Sequence, residues 1–299
     1  MVSYRYMDMQ MYGILSGTQI TDKNDVFVNY LMAPKRMQMD MHMLMAMYGI
    51  TNRLTVMLML NYNYNSMEMD MISSSGHNHA GMSGGQMGHN MKTSGLGDTK
   101  LHLLYGIIKR TNHQLLLSLG VNLPTGNFRL KGKNSDAMYP NKRLPYDMQL
   151  GSGTFDLMPC LSYMYQKNKI TFSIQGSGII RPQYNSIGYS LGNELNANAW
   201  LAYQWLPFLS GSVRLEGNAV NEIDGYDPTL YYYNELSANP HNYGGKRMNG
   251  FIGAIFQSKK GFLKKNRFGI EYGIPLYQSL NGTQLGLQQT LYASWAITF

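Results

Sequence analysis

The sequence predicts an all-β protein: a transmembrane, antiparallel, up-and-down β-barrel of about twelve strands with both termini in the periplasm. Three observations predict it. Apolar and polar residues alternate with period two along one run after another, as they do when side chains take opposite faces of a strand. The connections between runs are alternately short and long, the asymmetry of outer-membrane barrels. Charged residues make up 14% of the chain and mean hydropathy is −0.28. No run approaches the roughly twenty apolar residues of a membrane-crossing helix.

The first predicted strand is Val2 to Tyr12. A polar, turn-rich segment follows, and Val26 to Met32 is expected to extend the second strand, which is clear from Met37 to Tyr48. In that strand every odd position is methionine, while Gln38, Asp40, His42 and Leu44 take the even ones. Gly49 to Arg53 forms a tight turn, and Leu54 to Asn65 alternates again as the third strand. Hairpins of two long alternating runs are the repeating unit. A long loop is expected near 66–97. Strands then follow at Asp98–Ile108 and Gln114–Leu123, ended by Pro124-Thr125-Gly126, and a second long loop spans 124–153. Phe155 to Tyr165 is the sixth strand, and Pro159 within it demands a bulge or a missing ladder bond. Strands near Ile170–Ile180, Leu195–Tyr203 and Val213–Asn218 precede a third long loop at 221–246. The last three lie near Arg247–Ser258, Arg267–Tyr277 and Gln284–Phe299. The whole of 1–299 is expected to be one barrel domain, its long loops extracellular. The final strand alternates up to Phe299, a pattern similar to the C-terminal signal by which bacterial outer-membrane barrels are assembled.

The formal charge is +8, with much of it in connections such as Lys109-Arg110 and Lys259-Lys260, which reads as a solvated rim. No basic helix or aromatic–basic motif points to nucleic acid. A single cysteine, Cys160, excludes an intramolecular disulfide. No secretory apolar segment is visible at Met1, and the barrel reading implies a signal peptide already removed.

Several stretches carry a family resemblance. They are Met1 to Met7, Ala33-Pro34 with the methionine ladder, Gly120-Val-Asn-Leu-Pro-Thr-Gly126, Met148 to Asp156, and Leu191 to Trp200. Together they resemble a family of outer-membrane transporters related to the phenol-degradation meta-pathway (MetA-type) barrels. The resemblance implies one barrel in the outer membrane of a Gram-negative bacterium and supplies no catalytic residue.

Nineteen of the 24 methionines lie at or before Met91. His77, His79, Met82, Met87, His89 and Met91 cluster in the first long loop, and thioether with imidazole is a donor set suited to copper. Copper is the one cofactor or cargo ion so implied. Polar groups are costly against lipid, so Asp40 and His42 are expected in the lumen with the ladder methionines facing lipid. Met57, Met59, Lys100, His102, Arg214, Glu216 and Glu271 are likewise expected in the lumen, where charged residues form a constriction or pair across it.

The function read from the sequence is an outer-membrane channel or transporter for a small solute, with copper handling through the His/Met loop. The alternatives are a non-conducting accessory barrel that binds a protein partner, and a lipid-modifying enzyme. The enzyme reading lacks a serine placed beside an outward histidine, since Ser118 and Ser173 fall on the inward face, so no catalysis is expected. The expected partners are outer-membrane lipid, a small solute or metal ion, and an accessory protein.

Overall fold

The computed structural model describes residues 1–71, 87–133, 140–231, 233–258 and 264–299. The chain runs β1 (Val2–Gly17), β2 (Gln19–Ile20), α1 (Lys23–Asn29), β3 (Met32–Gly49), β4 (Leu54–Met71), β5 (Met87–Leu96), β6 (Thr99–Lys109) and β7 (His113–Leu123). It continues through β8 (Asp156–Lys167), β9 (Ile170–Ile179), β10 (Tyr189–Ser190), β11 (Glu194–Leu206), β12 (Leu209–Val220), β13 (Asp224–Gly225), β14 (Gly245–Gln257) and β15 (Asn266–Ile297). Single 3-10 turns lie at Tyr146–Met148, Leu236–Ala238 and Pro240–Asn242.

Each long strand pairs antiparallel with its neighbour in sequence, and β1 closes the ring against β15, with Val2 opposite Ile297 and Met11 opposite Leu287. Eleven strand runs form the closed wall; β2 and β5 flank it, and β10 pairs with β13 apart from it. The last run, β15, is 32 residues long and folds back on itself at Gly282, where φ is 54°. Its first arm pairs with β14 and its second with β1. Leu287 N donates to Gln278 Oε1 at 2.8 Å and Tyr272 OH to Gln289 Oε1 at 3.1 Å, tying the arms together. Counting the two arms separately, twelve staves cross the wall. Closure leaves the eleven-run wall itself without an unpaired edge, which a hydrocarbon environment requires.

The outer face is a belt of exposed Leu, Ile, Val and aromatic side chains, such as Leu103, Leu161, Ile174, Val213 and Ile252. Short turns at 50–53, 110–112, 168–169 and 207–208 lie at the same end as both termini. The long connections lie at the other. The wall there is uneven: β3 and β4 have 18 residues each, β7 has 11 and β9 has 10. The tall hairpins stand beside loops that rise from the low side.

Three details depart from the sequence reading. Val26 to Met32 does not extend the strand as expected: only Met32 joins β3. Asp22 caps a helix by accepting from Asn24 N at 2.8 Å, and α1 follows, burying Val26. The loop expected at 66–97 is shorter, because β4 continues to Met71 and β5 starts at Met87, with Met67 opposite Met91. The alternation that defines a strand persists through Met67, Met69 and Met71, where the abundance of Gly, Ser and His further on obscured it. The ladder methionines face inward: Met37 is 3% exposed and Met45 and Met47 line the lumen. Asp40 and His42, expected inside, therefore point outward. Pro159 behaves as required. It sits in register with Leu119 on β7, but on the β9 side the ladder stops at Cys160 and resumes only as an isolated bridge between Leu157 and Ile180.

Candidate functional site: the barrel lumen

The lumen has three storeys, each built from inward positions of the alternating strands. At the short-turn end lies a cavity of about 710 Å³, lined by Ser3, Arg5, Met45, Asn198, Trp200 and Tyr292 among others. A recess of about 410 Å³ adjoins it, sharing Trp200, Ile255, Gln257 and Arg267. Arg5, Arg214, Lys265 and Arg267 line the main cavity against Glu216 and Glu271, so its fixed charges lean positive.

On the wall of that cavity Arg214 organises a charged cluster. Its Nη1 donates to Glu216 Oε2 at 2.6 Å and to Asn198 Oδ1 at 3.2 Å. Nε and Nη2 take both oxygens of Glu271 at 3.4 and 3.3 Å. The guanidinium lies 3.7 Å from the Phe251 ring centroid, and Asn249 Nδ2 donates to Glu216 Oε1 at 3.1 Å. A planar fork bonded to two carboxylates and stacked on an aromatic ring is held in one orientation. The cluster spans β11, β12, β14 and β15, so it braces the wall and sets the charge of the passage at once.

Toward the long-loop end the lumen fills with apolar side chains. Met67, Met69, Met91 and Met148 are each no more than 2% exposed, packed with Met37, Val26, Leu144 and Leu236. Each such burial is worth about 1.5–3 kcal/mol. Methionine suits the place because its unbranched, polarisable side chain fills irregular gaps between loops and wall.

A polar clasp ties the loops down. Asp98 Oδ1 accepts from Gly126 N at 2.8 Å, and Oδ2 accepts from Ser152 N at 2.8 Å, Ser152 Oγ at 2.9 Å and Asn122 Nδ2 at 3.0 Å. Asn122 also donates to Asp156 Oδ2 at 2.9 Å. Gly126 and Gly151 cross backbone to backbone: a Cβ on Gly126 would lie 2.7 Å from Leu150 O, and one on Gly151 2.5 Å from Gly126 O. Beside the clasp, Arg181 pairs with Glu194 at 2.8 Å and with Asp156 at 3.5 Å. The segments Gly120–Gly126, Met148–Asp156 and Leu191–Trp200, singled out in the sequence, meet here. Asp98 was missed, because its neighbours in space are 28 and 54 residues away in sequence.

Within the loops, Arg143 pairs with Asp227 at 2.8 Å, and Asp227 N donates to Tyr146 OH at 2.9 Å. Burial pushes the Tyr146 phenol up to about 12. Asp147, in the same turn, is pushed up to about 8, chiefly by burial and then by the negative charge of Glu235.

Of the residues expected in the lumen, Met57 and Met59 pair in register with the inward Met47 and Met45, and His102 and Lys100 pair with those two in turn. His102 is buried, with Nδ1 3.2 Å from Ser118 Oγ. Arg214, Glu216 and Glu271 converge as described. Asp40 and His42 do not join them, since they stand on the outward face of β3. Of the His/Met set, His77, His79 and Met82 lie outside the described residues, and the Met87 side chain does as well. His89 and Met91 lie on β5, and Met91 packs in the methionine core. Among the described residues, no group of three His, Cys, Asp or Glu side chains is placed to hold a metal.

No family model matches the chain, and no curated protein matches it in sequence. Solved structures do. An outer-membrane channel from Pseudomonas putida F1 is similar with a TM-score of 0.57 at 16% identity, covering 98% of this chain and 93% of that one. The NanC porin (TM-score 0.45, 7% identity, 98% and 100% covered) and the Pseudomonas putida toluene transporter TodX (0.46, 10%, 100% and 89%) are more distant. The first likeness shows the fold: a closed antiparallel β-barrel of the outer-membrane channel kind.

Proposed function

We propose that the chain is an outer-membrane channel of a Gram-negative bacterium, passing a small amphipathic solute that carries an anionic group. Its termini are periplasmic, its long loops extracellular, and it catalyses nothing. The observation that carries this reading is the cavity of about 710 Å³ inside a closed barrel, with Arg5, Arg214, Lys265 and Arg267 outnumbering Glu216 and Glu271 on its wall. That volume fits a small ligand, and the charge favours an anion. The aliphatic and aromatic surface of Met45, Met47 and Trp200 supplies the apolar side. The methionine core acts as a gate, because Leu144, Met148 and Leu236, which pack against the strand methionines, sit on loops that yield more readily than strands. The likeness to the Pseudomonas putida channel and the resemblance to MetA-type barrels support the same reading. Copper is left out of it, because Met91 serves apolar packing.

The closed methionine core also favours the rival reading, an accessory barrel that conducts nothing. Flux from liposomes separates the two. The channel reading expects benzoate to pass faster than benzylamine of similar size, and Met148→Ala to raise both rates. Flux no greater than from empty liposomes, in wild type and variant alike, would leave the accessory reading standing.

A further inference from the structure

Among the described residues the outer wall is apolar around most of its circumference, with one exception on β1 and β3. There Tyr6 stands opposite His42, Asp8 opposite Asp40, and Gln10 opposite Gln38. These side chains point outward, because Ser3, Arg5, Met45 and Met47 at the alternate positions line the lumen. Their neighbours across the seam with β15 are Ala293, Leu291 and Gln289. Counting back from Gly49, His42 is the seventh residue and Asp40 the ninth. A tilted strand takes about nine to eleven residues to cross a bilayer, so the His42 row lies inside the span and the Asp40 row at its far edge.

The patch is bonded within itself without being neutralised. Tyr6 OH donates to Asp40 Oδ1; Gln38 Nε2 donates to Asp8 Oδ2 at 2.8 Å and to Asp40 Oδ2 at 3.3 Å. Two carboxylates thus face each other across a strand pair, an unfavourable arrangement. Among the described residues the ion pairs all lie elsewhere. Tyr4 OH meets His42 Nδ1 at 2.7 Å, and the other ring nitrogen has no partner among the described residues. Acyl chains offer such groups neither hydrogen bonds nor counter-charge.

We propose that this face is an interface between two copies of the chain, side by side about a two-fold axis along the membrane normal. The patch complements itself: carboxylates stand next to an imidazole with a free edge and to amide donors. Height decides how they meet. The paired rows climb toward the long-loop end from β1 to β3. With strands about 4.8 Å apart and tilted about 40°, His42 lies within about 2 Å of the height of Asp8. An axis between β1 and β3 therefore sets Asp8 of one copy toward His42 of the other, twice, as an isologous interface does; Asp8 is 8% exposed beneath the amides of Gln38 and Gln10, which turn aside when the pair forms. Leu44 and Leu60, next to the patch and exposed, supply the apolar rim. The inference rests on the wall lying in a membrane and is independent of what the lumen passes.

The test uses the full chain in bacterial outer membranes and in detergent. In a Cys160→Ser background, Leu44→Cys should cross-link to a dimer with a short thiol-reactive reagent, and Ile174→Cys on the far wall should not. In native mass spectrometry, Asp8→His and His42→Asp should each convert the dimer to monomer, by facing like groups. The double variant, which restores unlike pairs, should recover the dimer. Since both singles keep a polar residue at the site, heat-modifiable migration should report folded barrel throughout. A folded Leu44→Cys protein that stays monomeric, or that cross-links to a different protein, would overturn the interface. Failure of the double variant to recover the dimer would overturn the Asp8–His42 pairing. A chain recovered without detergent in the soluble fraction would sink the membrane reading itself, which the other outcomes leave intact.

Discussion

At the residue scale, Asp147 illustrates how a single buried acid sets the pH response of the loops. Its carboxyl is held near 8 in the folded chain, far above the ordinary 3.8 of an unfolded one. Between those values the folded state holds a proton that the unfolded state has released. Stability of the loop cap therefore falls as pH rises from about 4 to about 8, and the loss is complete above that. Hydrogen exchange of 140–150 should be slowest near pH 4 and quicken toward pH 8, once corrected for the intrinsic rate. Asp147→Asn should abolish that dependence and leave the strands unchanged; a variant with the wild-type profile would assign the dependence to other groups. None of this was legible in the sequence. Asp147 there is one acid in a polar loop, and its environment is made by Glu235 and by Tyr243, which come from a different loop.

At the scale of elements, the strands were legible and the loops were not. Period-two alternation is a local signal, so β1, β3, β4 and β6 through β9 could be read one at a time. The facing of β3 could not, because both of its faces carry groups that suit water or lipid poorly. Gln38, Asp40 and His42 argued for the lumen on polarity alone. The structure instead spends the methionines on the core, where Met11, Met37, Met67 and Met91 come from four different strands. Deciding between the phases needed the loops that fill the lumen, and these are non-local. The same holds for the clasp at Asp98, which joins the ends of the 124–153 connection to β6. Asp98→Ala should leave several buried donors without an acceptor, each worth about 1–3 kcal/mol. The expected result is rapid proteolysis within 127–150, with the barrel still migrating as a folded, heat-modifiable species. Loss of the folded species as well would make Asp98 part of the wall's own assembly.

At the scale of the whole molecule, the wall separates two ends of different character, and their difference gives the chain its direction. One end holds both termini and the short turns; the other holds α1, the 3-10 turns and every long connection. Long excursions need a side where the emerging chain can fold in water, and the tight turns fit the side from which the strands are threaded. If the long-loop end faces outward, single cysteines there should react with a membrane-impermeant maleimide on intact cells. Asn24 on α1 and Lys142 are both exposed and test that end. Asn52 and Lys167, exposed in the short turns, test the other. Cys160 is replaced by serine so that its thiol does not contribute. Labelling of Asn24→Cys and Lys142→Cys on whole cells, with Asn52→Cys and Lys167→Cys labelled only after the outer membrane is permeabilised, is the expected outcome. The reverse pattern would invert the barrel and move the cationic cavity, which opens near the termini, from the periplasmic to the external mouth. The solute would then meet the charged cluster before the methionine gate instead of after it.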